Sequence, residues 1–201
     1  TMKYLKISLL FFFLGLLSCS QSKEKQAKPE NTKETSVTPD FVIAFGSCNK
    51  QNAKNELWKE ILKNSPNIWI WGGDNIYSDT EDMNKMAYDY QVQLSQKGYQ
   101  DLKSQVDILG TWDDHDYGAN DAGIEYAQKE ASQQLFLDFM GVDKNDPRRL
   151  REGIYHSKTY TTNGGSVKVI ILDTRYFRDS IERIDGVYQP NEAGSILGET
   201  Q

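Results

Sequence analysis

Four short apolar runs, each stopped by polar residues, limit most strongly what this chain can fold into. They cover residues 41–45, 68–71, 108–112 and 166–172. Stretches with apolar residues at helical spacing separate the first three runs, and a further helix is predicted over residues 124–140. Strands separated by helices are typical of layered folds in which a sheet is buried against helices. The sequence therefore predicts an α/β domain.

The residues that follow the apolar runs have side chains that can bind a ligand or take part in catalysis. In chain order they are Cys48-Asn49, Asp74, Asp114-His115, and Asp173 with Arg175. One such ending is ordinary turn chemistry, but ligands of open α/β sheets bind outside the carboxyl ends of the strands. Four such endings predict candidate ligands at one sheet edge. The last run is the second arm of a predicted hairpin, residues 154–162 and 166–172, around Asn163-Gly164-Gly165.

Each candidate also has an ordinary interpretation. Cys48 is either a small buried hydrophobic residue or a metal-bound thiolate. Asp74 is either a turn residue or a ligand. Residues 113–116 place three carboxylates and an imidazole together, which repel one another unless a cation or basic group lies among them. For Arg175 the alternatives are a surface ion pair and a phosphate contact, whereas His156, inside a hairpin arm, is expected to be structural.

The N-terminal segment is predicted to be a lipoprotein-type signal peptide, residues 1–19. Lys3 and Lys6 precede a nearly unbroken apolar run over residues 7–17, about half the ~20 residues that a spanning helix needs. The run leads into Leu16-Leu17-Ser18-Cys19, which resembles the bacterial lipobox, so Cys19 is the predicted lipidation site. The alternative is ordinary secretion with an incidental cysteine. Lipidation would anchor the protein to a membrane of the cell envelope without spanning it.

Residues 20–39 are predicted to form a flexible linker, since only Ala27 and Val37 are apolar among them. Residues 40–201 then form the folded domain. The net charge of −6 and the charge of +2 in the first twenty residues leave −8 for residues 41–201, because residues 21–40 balance. An acidic domain argues against nucleic-acid binding. Two cysteines exclude a disulfide scaffold.

Four segments together resemble the alkaline phosphatase D (PhoD-like) family of metallophosphoesterases. They are Phe45-Gly46-Ser47-Cys48, Gly73-Asp74-Asn75-Ile76-Tyr77, the stretch TWDDHDYGAND over residues 111–121, and Leu172-Asp173-Thr174-Arg175. The resemblance implies a four-layer α/β/β/α sandwich with a multi-metal site, calcium and iron as cofactors, and hydrolysis of phosphate esters outside the cytoplasm. A nuclease would share this chemistry but fits poorly with the acidic domain.

The resemblance also implies roles for single residues. Asp74 would bridge two metals, Asp114 would be a further ligand, and Cys48 would supply a thiolate to iron. His115 would be the catalytic histidine near the leaving group, and we take Arg175 as the substrate-binding residue. Some members add a tyrosinate ligand, for which Tyr77 and Tyr90 both remain candidates.

The chain departs from the family pattern near its end, at Gly198-Glu199-Thr200-Gln201. The family continues with a second half that carries further His and Asp ligands, whereas only His115 and His156 are present here. We therefore expect a C-terminally incomplete sandwich that is not an efficient phosphatase by itself and that exposes an apolar sheet face. The alternative function is a truncated, non-catalytic envelope lipoprotein that keeps part of the metal site.

Overall fold

The computed structural model describes residues 39–201, so the predicted signal peptide, Cys19 and nearly all of the predicted linker lie outside the described residues. The helices are α1 (Leu57–Leu62), α2 (Met83–Ser95), α3 (Lys97–Lys103), α4 (Asp114–Tyr117), α5 (Lys129–Phe139) and a 3₁₀ turn, Pro147–Arg149. The strands are β1 (Ile43–Gly46), β2 (Ile68–Gly72), β3 (Asp107–Thr111), β4 (His156–Thr162), β5 (Gly165–Ile171), β6 (Arg183–Ile184) and β7 (Val187–Tyr188). Within this part of the chain, no helix is both long and apolar enough to cross a membrane.

The first three strands form a parallel sheet in the order β1-β2-β3. Ile43 pairs with Ile68, and Ile68 pairs with Asp107, so all three strands run in the same direction and end at the same edge. Helices connect them, as parallel pairing requires. The predicted α/β class is confirmed.

One face of this sheet packs against the helices through a cluster of aromatic rings. Trp69 and Trp71, two residues apart on β2, point to the same side and meet Trp58 of α1 with ring centroids 5.5 Å apart. Tyr99 of α3 accepts a 3.0 Å hydrogen bond from the Trp71 indole. Gly110 on β3 makes room for this packing, because a Cβ there would lie 2.5 Å from the Trp71 Cβ.

The β4–β5 hairpin packs on the opposite face of the sheet. Val169 and Ile171 of β5 contact Ile68 and Leu109, which alternate with the helix-facing residues of β2 and β3. On the same sheet face, Phe45 of β1 remains 79% exposed. Residues 39–201 thus supply one helix layer, a parallel sheet and a hairpin, and the four-layer sandwich remains a prediction.

The long helix predicted over residues 124–140 is wrong at its start, since α5 begins at Lys129. The Ile124 N–H donates to the Arg178 carbonyl at 2.8 Å, and the Tyr126 hydroxyl donates to the Thr80 carbonyl. These tertiary bonds hold residues 124–128 as a loop, although the apolar spacing there is helical. The bounds of the other predicted strands and helices differ by a few residues at most.

Candidate metal centre

The carboxyl edge of the parallel sheet carries three of the four predicted polar strand ends. β1, β2 and β3 lead into Cys48, Asp74 and Asp114. The Cys48 N–H donates to the Gly73 carbonyl at 3.2 Å, and the Asn49 N–H donates to the Asp74 carbonyl at 2.8 Å. These bonds join the loops after β1 and β2, so the parallel topology brings the predicted residues together.

Asp74, Asp114 and His115 form a compact group at this edge. Their candidate ligand atoms all lie within 4.8 Å of one another, both carboxylates are buried, and the imidazole is half-buried. Asp74 Oδ1 is buried and finds no hydrogen-bond partner within residues 39–201. A buried carboxylate oxygen without a partner is costly unless a cation lies beside it. Carboxylate and imidazole donors suit several first-row and harder metals, so these three residues fit a metal ion.

The electrostatics of the group favour a cation. Burial raises the pKa of Asp74 above its usual range, and the negative charges of Asp113 and Asp114 add to this shift. The Tyr77 hydroxyl and His115 oppose it. A metal ion would relieve the same repulsion, because an opposite charge stabilises the ionised carboxylates.

Asp116 fixes the loop after β2 against α4. Its Oδ1 accepts N–H bonds from Asp74 at 3.1 Å and from Asp113 at 2.7 Å, and its Oδ2 accepts the Asn75 N–H at 3.1 Å. Gly73 allows the close approach: its φ is 103°, and a Cβ there would lie 2.5 Å from the Asp113 Cβ. Asp116 is completely buried and engaged on both oxygens, so it positions the site.

His115 is oriented by Asp79. The Asp79 carboxylate lies 2.7 Å from His115 Nδ1, which leaves Nε2 for other partners. The Tyr77 ring packs against the imidazole at a tilt of 34°, with the two ring centroids 4.4 Å apart. Burial acts to lower the pKa of His115, but the hydrogen bond and charge of Asp79, with the charges of Asp114 and Asp74, outweigh it. The pKa is therefore raised above 6.5.

The two tyrosine candidates differ in position. Burial raises the pKa of the Tyr77 hydroxyl, and the neighbouring Asp74 carboxylate and Cys48 thiol add to this shift. Tyr90 is buried elsewhere, and its hydroxyl donates to the Asp116 carbonyl at 3.2 Å. Tyr77 therefore lies next to Asp74 of the candidate metal group, whereas the Tyr90 hydroxyl contacts the backbone of Asp116 instead.

Cys48 and Arg175 lie near the group but outside it. Cys48 is exposed, with a left-handed φ of 59°. The Arg175 guanidinium pairs with Asp113, and its Nη2 lies 3.4 Å from Asp114 Oδ1. Arg175 therefore contacts acids of the site itself, and both its predicted phosphate contact and the predicted iron contact of Cys48 remain predictions.

The fourth strand end, Asp173, does not join the group. Its Oδ1 accepts hydrogen bonds from the Trp112 indole at 2.9 Å and from the N–H groups of Arg175 and Tyr176, while Oδ2 accepts the Ile154 N–H at 2.9 Å. It is fully buried. The expectation that all four endings supply candidate ligands is therefore wrong for Asp173, because N–H donors already engage both oxygens.

Sequence reasoning did not find Asp79, and it treated Asp116 as one of several equivalent acids. The available signal was chemical, because the second ring nitrogen of a functional histidine usually bonds to an acceptor such as a carboxylate or a backbone carbonyl. Several acids close in sequence could have met this requirement. Only the path of the loop after β2, where Asp79 adopts a φ of 45°, selects the partner.

No protein-family model matches the chain, and no curated protein matches it. The chain is similar to a solved structure titled "Structure of PhoD", with a TM-score of 0.52 and 19% sequence identity. The match covers 69% of this chain and 32% of the other, so the chain spans about a third of the length of that protein. At this identity the likeness concerns the fold, and the chain has a PhoD-like fold.

Proposed function

We propose that this chain belongs to a metal-dependent hydrolase of phosphate esters that acts at the cell envelope and releases phosphate. The observation that carries the proposal is the Asp74–Asp114–His115 group, with an unpartnered, buried Asp74 oxygen within the described part of the chain. Its place at the carboxyl edge of a parallel sheet in a PhoD-like fold supports the same reaction class.

The residues present fit a metal centre. Asp74 and Asp114 would hold the ions, Asp74 as the shared carboxylate, and we propose calcium and iron, with the Cys48 thiolate as an iron ligand and Tyr77 beside it. Such ions, when bound, activate water and neutralise charge on the phosphoryl group. Arg175, beside Asp114, is the proposed contact for a phosphoryl oxygen.

His115 is the proposed general acid. Asp79 holds its Nδ1, so Nε2 is the atom that donates a proton to the leaving-group oxygen. The raised pKa keeps a larger fraction of the imidazole protonated at neutral pH than its ordinary value of 6.5 would allow. The Tyr77 ring restricts the imidazole from one face.

A second candidate is a non-catalytic envelope lipoprotein that keeps part of the metal site. It is favoured by the size of the group: three residues lie within ligand distance of one another in residues 39–201. Calcium alone takes ~6–8 oxygen ligands, and a two-metal mechanism needs both ions held ~3.5–4 Å apart.

The experiment compares hydrolysis of a chromogenic phosphate ester by the 201-residue chain and by the natural gene product read to its stop codon. Calcium and iron are supplied to both, and a chelator provides the metal-free control. Chelator-sensitive turnover by the gene product supports the hydrolase. Metal binding without turnover by either protein would favour the second candidate, and the absence of both would overturn the metal centre.

We also propose that Cys19 is lipidated and that the mature protein partitions with membranes. Cys19→Ala is expected to release the protein or to leave the signal uncleaved. Mass spectrometry of the mature N-terminus and membrane fractionation provide the test. An N-terminus without an acyl group and with unchanged membrane partitioning would contradict this proposal.

A further inference from the structure

We propose that the β6–β7 hairpin supports the metal centre, because it holds Asp121 and Asp121 in turn holds the carboxylate of Asp114. The Asp121 N–H donates to Asp114 Oδ2 at 2.7 Å. That short bond engages Oδ2, whereas Oδ1 accepts only a longer hydrogen bond of 3.4 Å from Arg175 Nη2. Asp121 is thus a positioning residue that holds Oδ2 of Asp114 and leaves Oδ1, which has the longer contact, as the oxygen for a cation.

The backbone of Asp121 needs support to make this bond. Its φ is 61°, in the left-handed region that non-glycine residues adopt at a cost unless their surroundings hold them there. The support comes from hydrogen bonds to both the backbone carbonyl and the side chain of Asp121. Arg178 donates to its carbonyl oxygen, and both Arg183 and Tyr188 donate to its Oδ2.

The hairpin depends on Asp121 as well. Its strands are two residues long, and two-stranded hairpins are marginal by themselves. The Arg183 guanidinium lies 4.1 Å from the centre of the Tyr188 ring, and both side chains converge on the Asp121 carboxylate. The hairpin and the loop that carries Asp121 therefore stabilise each other.

The contacts between the hairpin and Asp121 should affect metal binding at Asp114, and this expectation rests on the proposed metal centre. If loss of the hairpin contacts loosens Asp121, then Asp114 loses its N–H donor and its carboxylate rotates more freely. Residues that orient metal ligands are typically worth about 10- to 100-fold in metal affinity. By linkage, a metal bound at Asp114 should also reduce opening of the hairpin.

The test uses the full chain with the double variant Arg183→Gln/Tyr188→Phe and with the single variant Asp121→Asn. Both hairpin residues are about half exposed, so their replacement leaves the core intact. Asparagine tolerates the left-handed backbone, while it removes the charge and one of the two acceptor oxygens. Val187→Thr is the matched control, because Val187 lies on the same hairpin and is 64% exposed.

The first measurement needs no metal: amide hydrogen exchange of the Asp121 N–H by NMR. The double variant is expected to exchange about tenfold faster than the wild type, and the control at the wild-type rate. The second measurement is the Kd for Mn²⁺ from the electron paramagnetic resonance of the free ion. The double variant and Asp121→Asn are each expected to bind about tenfold more weakly.

The possible outcomes separate the two proposals. Unchanged exchange together with Mn²⁺ affinities within twofold of the wild type would overturn the inference, while wild-type binding would leave the metal centre standing. If neither the wild type nor the variants bind Mn²⁺, but the Asp121 N–H exchanges faster in the double variant than in the wild type, the result would support the hairpin connection and contradict the metal centre. Weaker binding by the Val187→Thr control would also overturn the inference, because it would show a nonspecific effect of the hairpin.

Discussion

Asp74 and Asp173 have similar positions in the sequence but different surroundings in the structure. Asp74 follows an apolar strand after two glycines, and Asp173 follows an apolar strand directly. Asp173 accepts hydrogen bonds from the Trp112 indole and from three backbone N–H groups, so both of its oxygens are engaged. Asp74 keeps one buried oxygen without a partner within the described residues and lies beside Asp114. The buried oxygen without a donor therefore distinguishes Asp74, a candidate ligand, from the structural Asp173.

Asp116 extends this comparison to within the site. It is also an aspartate and lies two residues from Asp114, but N–H groups engage both of its oxygens. Proximity to the metal group is thus insufficient to make a ligand.

The largest effect is expected from Asp74→Asn and Asp114→Asn, which should abolish metal loading and any metal-dependent phosphatase activity. Each change removes a charged ligand, so metal affinity should fall by more than about 100-fold. Elemental analysis of the purified variants measures the loss. Asp101→Asn, an exposed carboxylate paired with Lys97, is the matched control and should load metal normally.

The next effect concerns His115→Ala, which should keep most of the metal while slowing turnover by ~10²–10⁴-fold, the usual worth of a positioned proton donor. Turnover is measured on the natural gene product, with metal content determined on the same sample. Loss of metal as complete as that of Asp74→Asn would show that His115 is a ligand and that the acid must be another residue.

Asp173→Asn should affect stability, while metal loading of the folded protein should persist. The amide nitrogen would meet N–H donors in place of an acceptor, which costs about 1–3 kcal/mol for an unsatisfied buried group. Urea unfolding measures the change as a lower midpoint with an unchanged slope. If Asp173→Asn instead lost metal at unchanged stability, the separation between the two aspartates would be wrong.

A smaller effect is expected from Asp79→Asn in the metal-free protein. The pKa of His115 should fall, because burial lowers it once the carboxylate charge is gone. The pair stabilises the folded state fully below the unfolded histidine pKa of ~6.5, and this contribution is lost as the pH rises through the raised folded value. The partly exposed pair should contribute about 0.2–1 kcal/mol at pH 5.5 and less at pH 8.

Histidine NMR titration of the wild type and the variant measures the shift directly, and urea unfolding at the two pH values measures its effect on stability. Asp101→Asn should leave the His115 titration unchanged. A His115 pKa that stays the same in Asp79→Asn would show that other charges, such as Asp114, set it.

The sequence predicted the parts of this structure that follow from local pattern. Strands β2 and β3 and the polar residues that end them could be read directly, because apolar runs stopped by glycine or aspartate are local features. Their meeting at one edge followed from parallel topology. The resemblance to a known family added roles for Asp74, Asp114 and His115, which the structure places together.

What the sequence did not predict depends on contacts between distant segments. Asp173 had the same local pattern as Asp74, and only the positions of Trp112 and Ile154 show that it is engaged. Asp121 lies at the end of the motif over residues 111–121, but its link to Arg183 spans 62 residues. Helix α5 starts late because residues 124–128 bind Thr80 and Arg178, which no periodicity reveals.

Anomalous X-ray scattering from crystals of the protein grown with Mn²⁺ tests the central claim most directly. An anomalous peak is expected roughly 2.0–2.6 Å from Asp74 Oδ1 and from an oxygen of Asp114, with Asp173 and Asp116 free of any peak. A well-ordered Asp74 carboxylate whose Oδ1 accepts a bond from water or from a protein donor, with no peak beside it, would contradict the claim that this group is a metal centre.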